Sequence, residues 1–466
     1  MYRKVDARIV AALNQIVGEG NVLIGSEKME PYTHDEVVGL HADPEVVVKA
    51  ASAEQVSEIL KLAQRERVPV TPRGLGTGLS GGAVPVCGGI VLSLEKMNRI
   101  LEIDQENLMV TVEPGVFTGD LHRTVEAEGL FYPPDPASLD ICSIGGNIAE
   151  GSGGPRAVKY GVTRDYVCSL EVVFPSGEIA TCSRKLVKDV TGYNLTQLLI
   201  GSEGTLAVVT KIILRVIPLP KLRVDLLVPF DDFQAAADTV SDIIGERIVP
   251  ATIEFMERDA VLATEQFLEK EAPYHDAEAQ LLIQIDGNHQ EAVDKDFEIA
   301  GEICLKHGAR DVLVAKDRPT RDRMWEVRRQ IIPALNFQSP INHMQDLTVP
   351  RAKIGMLLKG IKETARKHSV RIVCYGHAGD GNVHVNTLKD SMSDDRWKSL
   401  VPIVVDEEIY GLTVSLGGML TGEHGIGVTR RRYLPMALDD AQIKIMRGIK
   451  AVFDPNGILN PGKIFP

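Results

Sequence analysis

The sequence predicts an α+β protein with two or three domains. At 466 residues the chain is too long for one ordinary hydrophobic core. Up to about residue 220 it consists of short strand-like runs separated by glycine-rich loops, and beyond that point a strand-helix-strand plan occurs twice. We therefore predict a first domain over residues 1–220, a substrate or cap domain over 221–412, and a segment over 413–466 that packs back on the first domain.

Composition excludes several classes of protein. The chain is 44% hydrophobic and 25% charged, which is typical of a soluble globular protein. Its net charge of −13 argues against a nucleic-acid surface, which needs clustered cations. It lacks a secretory signal pattern and any run of ~18 apolar residues, which favours a cytoplasmic protein that reaches a membrane only peripherally, through a partner. The six cysteines form no CxxC pair, so neither a disulfide framework nor an iron–sulfur cluster is indicated.

The pattern of apolar residues predicts the elements in order. Residues 46–70 predict a strand, a helix from Ala53 to Arg67 and a second strand. The second domain repeats one plan, first in KLRVDLLVPF, DFQAAADTVSDIIGER and PATIEFM, then in AQLLIQID, EAVDKDFEIAGEICLKHG and ARDVLVAK. This repeat predicts an antiparallel sheet with helices on one face. A last helix is expected from Asp439 to near Phe453, followed by an irregular tail.

The segment PRGLGTGLSGG (72–82) has the GxGxxG spacing of a dinucleotide-binding turn, and Glu95 lies where a ribose-binding acid would. That motif requires the glycines to open a helix. Here they lead into AVPVCGGIVLSL, which has the pattern of a strand. We therefore predict a strand-loop-strand nest, whose backbone N–H groups converge on an anion such as a pyrophosphate.

Three further segments rich in small residues follow, at 133–138, 143–161 and 201–210. In order and spacing the four segments resemble the FAD-binding domain of the vanillyl-alcohol-oxidase and p-cresol-methylhydroxylase flavoproteins. The resemblance implies a two-subdomain FAD-binding domain, with the first loop on the pyrophosphate, Gly145–Gly153 along the isoalloxazine and ribityl, and Glu203–Val209 at the adenosine end. The residues assigned to FAD are Arg73, Gly74, Gly76, Thr77, Gly78, Ser80, Gly81, Pro134, Asp135, Ser138, Gly145, Gly146, Asn147, Gly151, Ser152, Gly153, Tyr160, Gly161, Glu203, Gly204, Val209 and Asn460. The His or Cys that links flavin covalently in some members is missing from the expected places, although Cys142 lies close by, so noncovalent FAD is expected.

The segment CYGHAGDGNVHVN (374–386) predicts a hairpin, because Asp-Gly is a strong turn signal. With a loop over 379–382, Ala378 would face Val383 and His377 would face His384. Directly opposed residues have Cβ atoms ~5 Å apart, so both imidazoles could bind one divalent metal. Two ordinary hydrogen-bonded histidines remain the alternative.

The segment TGEHGIG (421–427) places Glu423 and His424 between glycines. Two histidines and one carboxylate form a metal shell with positions left open for substrate. Such a metal lowers the pKa of a bound hydroxyl group. His424 would then take the hydroxyl proton while the Cα hydrogen passes to the flavin as hydride.

With the closing LNPGKIF, these two segments resemble the D-lactate, glycolate and D-2-hydroxyglutarate dehydrogenase family. The resemblance makes His377, His384 and Glu423 the metal ligands, His424 the base and Asn382 a neighbour of substrate or flavin. It also assigns Arg328 to the substrate carboxylate, with a solvated helix charge as the alternative. Zinc is the first expectation for the metal, and manganese or iron the alternatives.

The absence of a lysine at one position and of motifs for a second redox centre limits which substrates and which electron acceptors are expected. Relatives that accept a dicarboxylate carry a lysine where INHMQDLTVP (341–350) has His343 and Met344. This favours D-lactate or glycolate over D-2-hydroxyglutarate, although a protonated His343 would supply a cation. With no iron–sulfur ligands, haem motif or nicotinamide fold, electrons must pass to oxygen or to a partner protein. The resemblance favours a partner, either an electron-transfer flavoprotein or an iron–sulfur subunit.

Two rival functions share parts of this pattern. One is an ether-forming synthase of the alkylglycerone-phosphate type, which uses flavin without net redox, but whose relatives carry a run of adjacent histidines that is missing here. The other is a non-catalytic electron-carrying subunit. The metal set together with His424 argues against the second.

Overall fold

The structure is a computed structural model that describes residues 2–315 and 317–466. Unit 1 comprises Met1–Gly153, Val162–Leu219 and Glu423–Pro466, and unit 2 comprises Gly154–Gly161 and Pro220–Gly422. The chain thus changes unit after Leu219 and after Gly422, where the sequence predicted boundaries at 220 and 412.

Helices and strands are mixed along the whole chain. Up to residue 219 they are α1 (Ala7–Val17), β1 (Val22–Leu23), α2 (Ser26–Met29), β2 (Val46–Lys49), α3 (Ala53–Glu66), β3 (Val70–Arg73), β4 (Ile90–Ser93), β5 (Ile100–Asp104), β6 (Met109–Val112), α4 (Thr118–Ala127), β7 (Leu130–Phe131), α5 (Ile144–Glu150), α6 (Ala157–Tyr160), β8 (Val167–Val173), β9 (Ile179–Cys182), α7 (Leu195–Leu199), β10 (Val208–Arg215) and β11 (Ile217–Pro218). Beyond it they are β12 (Leu222–Phe230), α8 (Phe233–Gly245), β13 (Thr252–Glu257), α9 (Arg258–Leu268), β14 (Ala279–Gly287), α10 (Gln290–Lys306), β15 (Leu313–Val314), α11 (Arg318–Arg329), α12 (Ile331–Gln338), β16 (Asn342–Thr348), α13 (Ile354–His368), β17 (Arg371–His377), β18 (Asn382–Leu388), α14 (Asp394–Leu400), α15 (Asp406–Ser415), α16 (Leu434–Ala437) and α17 (Asp440–Phe453).

Unit 1 begins with a small sheet in the order β1-β2-β4-β3, whose last three strands are parallel. The predicted helix forms as α3, because Ser52 caps its first turn and its apolar residues recur with helical spacing. These apolar residues share one core with the three parallel strands. The glycine-rich loop joins β3 to β4, which confirms the strand-loop-strand prediction. Glu95 is a structural residue whose carboxylate accepts bonds from Tyr32, Lys49 and Ser93.

The second sheet of unit 1 is antiparallel, in the order β5-β6-β10-β8-β9. Helix α17 follows its cap, Asp439, and ends at Phe453, close to the predicted bounds. The tail then returns to the first sheet, where Leu459 pairs with Val70 and the Asn460 N–H donates to the Val70 carbonyl over 2.7 Å. The C-terminal residues are therefore part of the framework that holds the glycine-rich loop.

Unit 2 is built on an antiparallel sheet in the order β15-β12-β14-β13-β17-β18-β16. The two predicted strand-helix-strand units are confirmed as β12-α8-β13 and β14-α10-β15. Helices α8, α10 and α13 form one layer on the sheet, with Phe233 of α8 against Phe255 of β13. The other face carries α9, α11 and α12 in addition, packed around Met256, Trp325 and Tyr375. Among the described residues, no helix is both long enough and apolar enough to span a bilayer.

Candidate active site

The predicted FAD loops in unit 1 are held close together by contacts that leave no room for side chains. A Cβ on Gly74 would lie 2.4 Å from Ser143 Oγ, and one on Gly145 would lie 2.5 Å from Pro114. Ser143 also caps α5, the helix that carries Gly145, Gly146 and Asn147. These glycines are therefore required for the loops to pack on one another.

Other predicted FAD residues of unit 1 make contacts within these loops. Asn147 donates to Thr118 over 2.7 Å, and Ser152 contacts Thr163 over 2.9 Å. The carbonyl of Pro134 lies 2.9 Å from His122 Nε2. Each segment named by the resemblance is thus locally fixed.

The side chain of Arg73 holds the protein rather than pointing freely outward. It is 6% exposed and donates to the carbonyl groups of Pro31 and His34, each over 2.8 Å. Burial lowers the pKa of this guanidinium, and the nearby carboxylate of Asp35 opposes that effect. The sequence predicted a phosphate contact here, whereas these bonds brace the start of the loop.

The carboxylate of Glu203 has a role that the sequence did not predict. It accepts the N–H groups of Ile426 and Gly427, each over 2.7 Å. Asn460 joins the same region, since its amide donates to the carbonyl groups of Glu203 and Gly82 over 2.7 and 3.0 Å. The two residues thus link the segments predicted to surround FAD with the segment that follows His424.

Glu423 and His424 resume unit 1 after the chain leaves unit 2. The Glu423 Oε2 atom would lie 2.8 Å from a Cβ on Gly153, so glycine at this position lets the Glu423 carboxylate come close to the loop. His424 Nε2 is 3.8 Å from Glu423 Oε1, and both side chains are largely buried. Unit 1 therefore brings the predicted base and the predicted carboxylate ligand beside the loop predicted to carry the isoalloxazine.

In unit 2 the predicted hairpin is formed by β17 and β18, but its register differs from the prediction. His377 pairs with Asn382 and Tyr375 pairs with His384, so the loop covers residues 378–381. The expected pairings of His377 with His384 and of Ala378 with Val383 are therefore wrong. The physical reason is local, because the Asp380 carboxylate accepts the Asn382 N–H over 3.1 Å and ends the turn at that residue.

The two imidazoles nevertheless meet, because residues two positions apart in a ladder lie on the same face of a sheet. The Nε2 atoms of His377 and His384 are 3.3 Å apart. Both residues are almost fully buried. Nitrogens that bind one tetrahedral zinc at about 2.0–2.1 Å lie about 3.4 Å from each other.

A carboxylate lies on the other nitrogen of each ring. His377 Nδ1 is 2.8 Å from Glu254 Oε1, and His384 Nδ1 is 3.4 Å from Asp346 Oδ1. Since a carboxylate can only accept, this geometry puts a proton on the His377 Nδ1 atom and leaves the lone pair on Nε2. The arrangement is the one found for metal-binding histidines, and the donor set fits a divalent ion.

Glu254 is a site residue that sequence reasoning missed. It lies on β13, opposite His377, and is fully buried. Burial alone would raise the pKa of Glu254, but its interactions with His377 and Arg328 outweigh that effect and the pKa lies below its usual value. The available signal was a charged residue inside the apolar run ATIEFM, which predicts a buried, paired acid.

Arg328 is not a solvated helix charge. It is 6% exposed, its Nη2 atom lies 2.7 Å from Glu254 Oε2, and its guanidinium stacks on Tyr375 at 5.2 Å. Unit 2 therefore brings Arg328 to the carboxylate that also contacts His377. The solvated alternative is wrong.

The remaining predicted residues of unit 2 have identifiable partners. The amide of Asn382 donates to Asp346 Oδ1 and to the Leu347 carbonyl, over 2.7 and 2.9 Å. The Tyr160 hydroxyl donates to Asp286 over 2.7 Å. Asn382 therefore helps to orient the carboxylate beside His384.

His343 does not lie on the face of the sheet that carries the histidine pair. Successive residues of a strand face opposite ways, so Met344 shares the face of Asp346 and His343 faces away. His343 Nε2 is 2.9 Å from Asp406 Oδ2 on α15. The expectation that a protonated His343 could supply a cation to the site is therefore wrong.

Comparison with known proteins identifies the family of the chain. Residues 44–183 match the family model described as an FAD binding domain, and residues 219–464 match the C-terminal domain of FAD linked oxidases. The chain belongs to this family of FAD-linked oxidases and is an oxidoreductase of the flavoprotein class.

Two related proteins and one solved structure are similar to this chain over nearly its whole length. The chain is 44% identical to the glycolate oxidase subunit GlcD of Bacillus subtilis, over 93% of this chain and 92% of that protein. It is 41% identical to a D-lactate dehydrogenase of Anaerostipes hadrus, over 99% and 98%. Its fold matches the solved structure of p-cresol methylhydroxylase with a TM-score of 0.82, at 20% identity over 98% of this chain and 96% of that one.

Proposed function

We propose that this protein oxidises a small D-2-hydroxy acid, D-lactate or glycolate, to the corresponding 2-oxo acid. The observation that carries the proposal is the histidine pair, whose Nε2 atoms are 3.3 Å apart while Glu254 accepts from His377 Nδ1 and the Asp346 carboxylate lies 3.4 Å from His384 Nδ1. An α-hydroxy acid suits such a metal site because it offers a hydroxyl and a carboxylate oxygen to one ion. The names of two relatives, a glycolate oxidase subunit and a D-lactate dehydrogenase, support the same substrate class.

The proposed metal ligands are His377, His384 and Glu423. Gly422, which immediately precedes Glu423, donates its N–H to Asp346 over 2.8 Å, and Asp346 is the carboxylate beside His384. Zinc is the first choice for nitrogen and oxygen ligands, with manganese and iron as alternatives. When bound, FAD would accept the Cα hydrogen as hydride and the metal would lower the pKa of the substrate hydroxyl.

The side chains of the protein supply the remaining chemistry. His424 is the proposed base that takes the hydroxyl proton, so that the substrate loses one proton and one hydride. Arg328 is the proposed partner of the substrate carboxylate. Its pairing with Glu254 supports this role by holding the guanidinium in one place.

The absence of a cation at one position favours a monocarboxylate. The apolar Met344 shares the sheet face of Asp346 and His384, where a second carboxylate would need a positive partner. We therefore propose D-lactate or glycolate ahead of D-2-hydroxyglutarate.

FAD is proposed to bind noncovalently. Cys142, the cysteine nearest the flavin segments in the sequence, is buried, its Sγ contacts Thr118 over 3.2 Å, and burial raises the pKa of its thiol. A thiol of this kind is a poor nucleophile for attachment to flavin. The proposed electron acceptor is a partner protein, either an electron-transfer flavoprotein or an iron–sulfur subunit.

Anaerobic mixing tests the substrate proposal. The purified flavoprotein is mixed in turn with D-lactate, glycolate and D-2-hydroxyglutarate while the flavin absorbance is followed. Bleaching by either monocarboxylate, faster than by the dicarboxylate, is expected. An oxidised flavin with all three acids would contradict the proposal, and would be the result for a non-redox synthase or a non-catalytic subunit.

Two histidine variants test the roles within the site. His424→Ala should retain FAD and metal yet reduce its flavin ~100- to 10,000-fold more slowly, because the base is lost. His377→Ala should instead lose metal and substrate affinity together. Stopped-flow flavin reduction, with metal content measured on the same samples, separates the two roles. Wild-type flavin reduction by His424→Ala at neutral pH would show that the proton goes elsewhere.

A further inference from the structure

The carboxylate of Glu203 is buried in unit 1 and binds the backbone just beyond His424. Its two oxygens accept the N–H groups of Ile426 and Gly427, each over 2.7 Å. The side chain is only 5% exposed. Two short bonds from consecutive backbone N–H groups to one buried side chain hold residues 426 and 427 in place.

The segment itself can adopt this position only because of its glycines. Gly425 has φ +82°, and a Cβ there would lie 2.4 Å from Glu150 Oε2 and 3.0 Å from Glu203 Oε1. The Gly425 carbonyl accepts from the buried Arg430 guanidinium over 3.1 Å. Residues 425–427 are therefore fixed both by their N–H groups and by a carbonyl.

Glu203 is in turn attached to a rigid part of unit 1. Its N–H donates to the Ala149 carbonyl over 2.7 Å, and its carbonyl accepts from the Asn460 amide over 2.7 Å. Its φ of +51° is an unusual conformation for a non-glycine residue and is maintained by these neighbours. The Val428 N–H donates to the Ser80 carbonyl over 2.8 Å, which fixes the following residue to the glycine-rich loop.

We propose that Glu203 is a positioning residue for His424, which it orients through the backbone of Ile426 and Gly427. This inference rests on the proposed function, in which His424 is the base. The base must be placed accurately, because a displacement of about 1 Å can slow a reaction about 100-fold. Glu203 joins the base to the segments predicted to hold FAD, and so keeps the two in a constant relation within unit 1.

The replacement Glu203→Gln tests this role. Glutamine has the same shape, but it offers one acceptor oxygen and places an amide donor against a backbone N–H. We expect backbone hydrogen exchange of the peptide 423–430 to rise about tenfold. Flavin reduction at saturating substrate should slow about 100-fold, while substrate affinity, FAD content and metal content stay at wild-type values.

The matched control is Glu113→Gln. Glu113 is also buried in unit 1 and its carboxylate accepts a backbone N–H, that of Arg99, over 2.9 Å. This variant should leave both the exchange of 423–430 and flavin reduction unchanged. If Glu203→Gln behaves like this control, the proposal is wrong. Loss of FAD from Glu203→Gln with normal exchange would also overturn it, in favour of a direct cofactor contact.

A second variant, Gly425→Ala, tests the same role if Glu203→Gln fails to fold. Gly425→Ala leaves Glu203 intact but places a Cβ 3.0 Å from Glu203 Oε1 and 2.4 Å from Glu150 Oε2, at a φ of +82° that alanine rarely adopts, so it should raise the same exchange and slow flavin reduction. Unchanged exchange in Gly425→Ala would contradict the proposal. Because exchange is measured without substrate, it remains decisive even if no 2-hydroxy acid reduces the wild-type flavin, a result that would overturn only the proposed function.

Discussion

At the scale of single residues, the site depends on which nitrogen of each imidazole carries a proton. An isolated histidine can place its proton on either nitrogen, and metals bind the other one. The Glu254 carboxylate accepts from His377 Nδ1 and selects the form whose Nε2 lone pair is free to bind, while the Asp346 carboxylate lies 3.4 Å from His384 Nδ1. Two carboxylates from neighbouring strands thus turn an ordinary hairpin into a potential metal site.

Replacement of Glu254 tests whether metal binding depends on the proton position in His377. In Glu254→Gln the neutral amide holds His377 less firmly and leaves the buried Arg328 without its charge partner. Metal affinity should fall ~10- to 100-fold, and removal of one partner of the buried pair should destabilise the protein by about 3–5 kcal/mol. Metal affinity is measured by competition with a chelator, and stability by urea unfolding of the metal-free protein.

The control for Glu254→Gln lies on the same strand. Glu257 is equally buried, but its carboxylate binds Lys362 and the Cys374 N–H, away from the histidines. Glu257→Gln should therefore change stability without changing metal affinity. Equal metal affinities in the two variants would show that Glu254 does not set the state of His377.

Asp35 gives a prediction about pH. It is 4% exposed, and burial raises its pKa to about 6, despite the Val37 N–H bond and the charge of Arg73. The folded protein therefore holds this proton more tightly than the unfolded chain, so stability falls as pH rises from about 4 to 6. A difference of about two pKa units corresponds to about 3 kcal/mol.

Replacing Asp35 by a residue that cannot ionise should abolish the decrease in stability between about pH 4 and pH 6. Asp35→Asn should gain up to about 3 kcal/mol relative to wild type between pH 4 and pH 7. Urea unfolding of flavin-free protein at the two pH values measures the change. Parallel stability curves for the two proteins would show that Asp35 ionises normally in the folded state.

At the scale of elements, the spacing of apolar residues predicted the helices and strands whose formation depends on nearby residues alone. The helix α3 and the repeated units β12-α8-β13 and β14-α10-β15 follow from periodicity and were predicted. The hairpin register was missed, because the side chain of Asp380 shifts the turn by one residue. Glu254 was missed because it is 123 residues from His377 in sequence, and only the pairing of β13 with β17 brings the two together.

The hairpin turn is a second test of how the histidines are placed. Gly381 has φ +91°, and a Cβ there would lie 2.1 Å from the Val349 carbonyl oxygen. Gly381→Ala should cost at least about 1–3 kcal/mol of stability and lower metal affinity, because the turn that sets the pairing of β17 with β18 must move. Thermal unfolding and metal titration measure the two effects.

A glycine in a helix provides the comparison. Gly448 lies inside α17, and nothing lies within 4 Å of a Cβ built there. Gly448→Ala should therefore stabilise the protein by about 0.5–1 kcal/mol and leave metal affinity alone. If Gly381→Ala binds metal as well as Gly448→Ala does, the turn does not set the histidine positions.

At the scale of the whole molecule, the two proposed cofactors depend on different parts of the chain. Apart from Tyr160 and Gly161, the residues assigned to FAD belong to unit 1, whereas His377 and His384 belong to unit 2. The third proposed metal ligand, Glu423, belongs to unit 1 but is not one of the residues assigned to FAD. Loss of the metal should therefore not release the flavin. The two sites are expected to be separable in a biochemical experiment even though the proposed reaction uses both.

Chelation followed by dialysis makes this separation measurable. The treated protein should keep its FAD absorbance and should still be bleached by a chemical reductant, but D-lactate or glycolate should no longer reduce the flavin, because no ion holds the hydroxyl and lowers its pKa. Adding back zinc, or manganous or ferrous ion, should restore reduction and identify the metal. Acid precipitation of the untreated protein should release the yellow flavin into the supernatant, since the attachment is noncovalent. Substrate-driven bleaching at the original rate in protein shown by elemental analysis to be metal-free would remove the metal from the mechanism and leave His424 to take the hydroxyl proton unaided.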